Sequence, residues 1–167
     1  MGFPSKLKDV NFYVDGTGFI GEIDELGLPK IAIKTDSYRA GLGEVDIDQG
    51  LDKIELDVIM GGLIADIIAG FGSTISDGVL TRFAGAYQDD QTGEVRAMEI
   101  ACRGKWKEMD FGNAKRGGET AHKYKLGCSY YEMTVDGLQW MEIDLINRVF
   151  VVMGVDRYAE IRAAIGA

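Results

Sequence analysis

Several residue sets in this chain have the types and spacing that chemistry uses. Gly16-Thr17-Gly18-Phe19-Ile20-Gly21 matches the G-x-G-x-x-G pattern of dinucleotide-binding turns. That chemistry needs a full helix whose N-terminus opens inside the motif and faces a pyrophosphate. Here only Glu22 to Leu28 follow before Pro29, with Gly27 among them, so the pattern reads as a glycine-rich hairpin turn. Asp46-Ile47-Asp48-Gln49-Gly50 faintly matches a calcium loop but lacks the third Asp or Asn and the glycine at position six. Glu55 and Asp57 sit two apart, which on a strand puts both carboxylates on one face about 7 Å apart. A glycosidase could use such a pair, but among 27 acids such pairs arise by chance, and nothing nearby suggests sugar stacking. His122 is the only histidine, so neither a His-based metal set nor a Ser-His-Asp constellation can be assembled. Lying between Ala121 and Lys123, it reads as a solvated residue.

Cys102 and Cys128 are the only cysteines, and each lies in an apparent strand. Two buried thiols are expected, because a free cysteine packs as a small hydrophobe. A disulfide between them remains open if the two strands are neighbours. With no nucleophile–base pair and no metal cluster, the chain reads as one that builds rather than transforms.

The elements that position these residues are mostly strands. Residues 10–15 form a strand closed by Asp15-Gly16, with 18–23 as its expected hairpin partner. Pro29 breaks the chain, since it cannot donate to a ladder, and Ile31 and Ile33 start another strand. Residues 36–50 read as an extended hairpin or loop, too long and glycine-rich for a tight turn. The cleanest alternation is in 52–60: Ile54, Leu56, Val58 and Met60 share one face, and Lys53, Glu55 and Asp57 the other. A single wet face means a sheet packed on one side only. The period then changes, and Leu63, Ile64, Ile67, Ile68 and Phe71 form one stripe of a short helix. Residues 79–88 and 94–107 are two long strands, 108–120 a surface loop, and 121–135 and 138–144 a hairpin across Asp136-Gly137, a preferred two-residue turn. Asp156 is placed to cap a final helix over 157–165.

The expected architecture is mainly β: two packed antiparallel sheets, as a sandwich or barrel, with one short packing helix and a short C-terminal helix. A chain of 167 residues suggests one domain over 1–167. No run approaches 18 apolar residues and no apolar leader is visible, so a protein made in the cytoplasm, without membrane insertion, is expected. The 23 glycines beside only two prolines point to turns and kinked strands, not disorder. The net charge of −9 argues against a dedicated phosphate-binding surface. Residues 1–93 carry 16 acids and 7 bases, whereas residues 94–125 carry 5 acids and 8 bases. Such a split allows acidic and basic parts of neighbouring copies to meet.

Short segments in fixed order also carry a resemblance. They are Leu28-Pro29-Lys30; Tyr38-Arg39-Ala40-Gly41; Asp48-Gln49-Gly50-Leu51; Arg82-Phe83-Ala84-Gly85; Arg103-Gly104; Tyr130 to Gly137; Glu142-Ile143-Asp144; and Gly154-Val155-Asp156-Arg157. Together they span almost the whole chain, which resembles the major tail tube proteins of contractile-tailed bacteriophages and R-type bacteriocins.

The resemblance implies a homohexameric ring whose inner sheets join into one β-barrel. It also implies rings stacked inside a contractile sheath, and no cofactor. Implied partners are the tail sheath protein, the tape measure protein, the baseplate hub, the tail terminator and, in a phage, DNA in transit. The implied location is a virion tail or tail-like particle assembled in the host cytoplasm. On that reading Glu55, Asp57 and Glu99 are expected to line an acidic lumen. Tyr38, Arg39, Gly41, Glu44, Asp46 and Asp48 form an inter-ring loop that meets the basic set Arg103, Lys105, Lys107, Lys123 and Lys125. The competing reading is a small-molecule-binding β-barrel or a carboxylate-based hydrolase, which would show an apolar cavity.

Overall fold

A computed structural model describes residues 2–167. The chain begins with β1 (Lys6–Val14), β2 (Thr17–Gly18) and β3 (Ile23–Gly27), then β4 (Ile33–Arg39) and β5 (Glu44–Leu51). After β6 (Ile54–Gly61) comes the helix α1 (Ala65–Ala69). The strands β7 (Val79–Gln88), β8 (Val95–Asp110), β9 (Ala121–Val135) and β10 (Leu138–Asp144) follow. The chain ends with β11 (Val149–Val152), β12 (Val155–Asp156) and α2 (Ala159–Ala164).

Ten strands join in one antiparallel sheet, while β4 and β5 form a separate two-stranded ribbon. The sheet folds into two layers because β8 and β9 are long and change partners midway. β8 pairs with β7 only from Val95 to Gly104. The far side of β9 holds β6 along Ala121–Cys128 and β10 along Tyr130–Val135. The first layer therefore runs β2-β1-β7-β8-β9-β10-β11-β12, and the second β8-β9-β6-β3. The β8–β9 register shifts at Arg103/Gly104 and again at Trp106/Glu108, where the strands pass between layers. Bulges bend a strand and increase its twist, which turns the corner.

The inward side chains of both layers form one cluster. Phe12, Val14, Phe83 and Ile100 come from the first layer; Ile54, Leu56, Val58 and Leu126 come from the second. All are buried. The two packed layers expected from the alternation are present, and they are continuous through β8 and β9. Asp15-Gly16 and Asp136-Gly137 both have positive φ at each residue, as two-residue hairpin turns require.

Several expected elements differ. Residues 18–23 are not a full hairpin partner of β1: only Thr17 and Gly18 pair with it, and the chain then crosses to β6 as β3. The glycine pattern at 16–21 thus forms a turn and a chain crossing. Of the two forms expected over 36–50, the extended hairpin is the one present, a ribbon paired from Ile33↔Leu51 to Arg39↔Glu44 with a register shift between Ile33 and Thr35, closed by the Ala40 N–H to the Gly43 carbonyl at 2.7 Å. The first helix covers only Ala65–Ala69: Ile64 and Ile67 are buried, but Leu63, Ile68 and Phe71 stay exposed. β8 runs on to Asp110, into the expected loop. α2 starts at Ala159, not Arg157; Asp156 accepts from the Tyr158 N–H at 3.0 Å and pairs with Arg162, tying the helix back.

Candidate assembly surfaces

The second layer carries the carboxylates singled out from the sequence. β6 places Ile54, Leu56, Val58 and Met60 inward, so Glu55 and Asp57 point outward. The register sets Asp57 opposite Lys125 and Glu55 opposite Gly127, which brings lysines of β8 and β9 to both acids. Lys107 hydrogen-bonds to Glu55, and Lys125 lies 3.6 Å from Glu55 and 3.9 Å from Asp57. The Lys107 hydrogen bond holds the Glu55 carboxyl below the usual carboxylate range, against a smaller opposing effect of burial. Two acids expected to line the lumen and two bases expected to meet another ring therefore share one surface of one chain.

Glu99 is elsewhere. It lies on the part of β8 that pairs with β7, in the first layer, 3.5 Å from Arg82, whose guanidinium stacks 4.4 Å above the Tyr13 ring. The three acids expected on one wall are thus split between two outer faces, because β8 changes layer at Gly104. Arg103 faces outward in the first layer with Leu80 and Tyr130, while Lys105, Lys107, Lys123 and Lys125 belong to the second. Glu25, Asp57, Glu108, Asp110, Lys123 and Lys125 line one concave hollow of about 340 Å³ on that second layer.

Both lateral edges of this four-stranded layer are open. Among the described residues β3 pairs only with β6, and the stretch of β8 beyond Gly104 pairs only with β9. Open edges invite pairing. Here they carry Asp24 and Glu25 on one side and Lys105, Lys107, Glu108 and Asp110 on the other, charges that discourage indiscriminate joining.

The ribbon is a second exposed surface. Tyr38 pairs with Val45 and Asp36 with Ile47, which puts Tyr38, Val45 and Ile47 on one face. Arg39, Glu44, Ser37, Asp46 and Asp48 lie on the other. Tyr38, Leu42, Val45 and Ile47 are all exposed, Leu42 completely so at the tip. Gly41 is beside it, with open space around its Cα. Reading this segment by its charges missed the apolar face. The signal was present in Glu44-Val45-Asp46-Ile47-Asp48, a strict period of two.

Three other residues are placed differently from expectation or settle an open question. His122 is buried, because it shares the inward parity of Tyr124 and Leu126, and Phe111 packs edge-on against it. Cys102 and Cys128 are both free and buried, so no disulfide joins them. A hydrogen bond with Cys128, then burial, pushes the Cys102 thiol far up. Alkylation needs an accessible thiol and both are buried, so neither cysteine is expected to react with iodoacetamide at about pH 8 until denaturant is added. Rapid labelling of the folded protein would show that the β8–β9 core opens.

Apolar side chains of both layers pack against one another between them, and a hollow of about 880 Å³ is an open groove between the ribbon base and α2. An exposed apolar ribbon face and open sheet edges on a β fold are docking surfaces, and no catalytic cleft accompanies them among the described residues. A family model described as phage tail tube protein FII matches residues 4–166, and the chain belongs to that family. It is 39% identical to the tail tube protein of Escherichia phage P2, with 99% of each chain aligned. It is 37% identical to the major tail tube protein of Serratia phage KSP20, over 96% of this chain and 94% of that one. The fold is similar to a chain of an extracellular contractile injection system's sheath/tube terminator in the extended state. That match has a TM-score of 0.59 at 11% identity, covering 79% of this chain and 97% of the other. The sheath–tube complex of such a system matches with a TM-score of 0.57 at 12% identity, over 79% and 92%. The chain is a structural component of a tail tube.

Proposed function

We propose that six copies close into a ring through the open edges of the second layer, and that rings stack into the conduit inside a contractile sheath. One observation carries the ring. Within the layer β3-β6-β9-β8 every neighbour is antiparallel, so β3 and β8 run in opposite directions. Rotating a copy about a common axis sets its β3 antiparallel to the free part of β8 on the next. Four strands per subunit then continue into one barrel without an edge. Ring closure of this heterologous kind leaves the same two faces on every ring, so rings repeat head to tail.

The concave outer face of the second layer then lines the channel, with Glu55 and Asp57 on its wall and Glu99 outside it. Tight phosphate binding needs uncompensated bases. Lys107 and Lys125 are already held by Glu55 and Asp57, so a DNA molecule would pass without sticking. The protein works by assembly and not by turnover. The sheath protein would meet the outer face, the tape measure protein would occupy the lumen, and the baseplate hub and terminator would cap the ends.

The edge pairing is tested by cross-linking. Glu25 and Glu108 lie on the two edge strands, three strand spacings or roughly 14 Å apart within one chain. A Glu25→Cys, Glu108→Cys variant, or one with Asp110→Cys for register, is expected to give an oxidised ladder ending at six chains. Tubes that assemble without any inter-chain cross-link would overturn this pairing.

A further inference from the structure

Three buried polar atoms have no protein partner among the described residues: Trp106 Nε1, His122 Nδ1 and the Tyr124 hydroxyl. They are not scattered. Trp106 and Tyr124 pack edge to face with centroids 6.2 Å apart. Phe111 stands edge-on to both His122 and Tyr124, at 4.8 and 6.4 Å. Gly70, which ends α1, lies over the indole, where a Cβ would meet Nε1 at 3.6 Å. All three polar side chains are more than nine-tenths buried.

Buried donors and acceptors left alone are costly and rare, and ordered water is the usual remedy. We propose that these atoms line an internal hydration site under the C-terminal end of α1. The chemistry selects water over other occupants. Indole Nε1–H can only donate, so the occupant must accept there. An imidazole nitrogen donates or accepts according to whether it carries the proton, so the occupant must be able to do either. A phenol hydroxyl does either. A metal cation has nothing to bind at the indole, and an apolar ligand would leave all three atoms unmet. Water fulfils every role. Phe111 is half-exposed and touches both rings, so it forms the partition between this site and solvent.

The sign of one substitution decides the matter. Tyr124→Phe removes the hydroxyl and almost nothing else. If the hydroxyl is bridged by water, the variant strands that water and lowers the folding constant about five-fold, the worth of one net hydrogen bond. If the site is dry, deleting an unmet hydroxyl leaves stability unchanged or raises it. Urea titration of the unassembled chain reads this difference. A density map at about 2 Å gives the independent measure, with peaks within hydrogen-bond reach of Tyr124 and Trp106. A stable or stabilised variant, or a map empty at those positions, overturns the proposal.

Discussion

Gly104→Val is expected to yield no soluble folded protein, and Gly104→Ala to be destabilised by at least about 3 kcal/mol, at the severe end for point substitutions. A Cβ at Gly104 would lie 1.9 Å from the Gly127 carbonyl oxygen and 2.8 Å from its carbon. Both obstacles are backbone, so no rotamer change relieves them. The clash falls where β8 changes layer, opposite the point where the far side of β9 passes from β6 to β10. Moving the strands apart there would open the ladder beside Cys102, Cys128 and Trp106, all buried. Gly41→Ala is the control: open space surrounds that glycine, so its effect should stay within about 0.5 kcal/mol. Soluble yield and urea midpoints of the variants provide the measurement. A Gly104→Ala protein as stable as the parent would mean that β8 and β9 can separate at the corner without loss.

That corner also marks where the sequence stops being legible. The hairpin of β9 and β10 could be read to the residue, because Asp136-Gly137 is a local signal flanked by long alternation. The inward face of β6 could be read for the same reason. The passage of β8 and β9 from one layer to the other could not, since alternation simply continues to either side of the bulges. The only local hint was Arg103-Gly104. That hidden passage separated Glu99 from Glu55 and Asp57, although all three look alike in a charge count. Pairing was equally hidden: nothing local to Glu55 says that Lys107 and Lys125, far along the chain, will neutralise it.

His122 shows the opposite error. Its neighbour Lys123 suggested solvent, yet parity with Tyr124 and Leu126 already placed it inside. The short helix fell between these cases. A stripe of five apolar residues predicts a buried face, but only Ile64 and Ile67 find the core. Gly62 at positive φ and Gly70 leave room for about two turns between them, and only Ala65–Ala69 is helical.

Replacing Tyr38–Val45 with Asn-Gly is expected to leave a folded subunit that no longer forms tubes. Ser37 and Asp46 are direct register partners, so two residues with positive φ can close the shortened ribbon. Among the described residues the ribbon makes no ladder with the ten-stranded sheet, and its distal residues are exposed. Removing them should therefore shift the unfolding midpoint of the isolated subunit by no more than about 0.5 kcal/mol. Assembly is different. The excision removes Tyr38, Leu42 and Val45, which are exposed in the single chain and have a shared purpose only if another copy covers them. Burying each contributes about 1.5–3 kcal/mol, so their loss should weaken each copy's docking by several kcal/mol. At about 1.4 kcal/mol per factor of ten, the critical concentration for tubes should rise roughly a thousand-fold or more. The excision also takes Arg39 and Glu44 but leaves Asp46 and Asp48, so most of the acidic face persists. A double substitution, Tyr38→Ser with Val45→Ser, separates the two contributions. If apolar contact dominates, it should reproduce most of the loss. If charge dominates, it should assemble nearly normally yet remain salt-sensitive. Electron microscopy and sedimentation across a concentration series measure both variants. Tubes of ordinary length from the shortened chain, at the parent's concentration, would show that the ribbon is not what holds copies together.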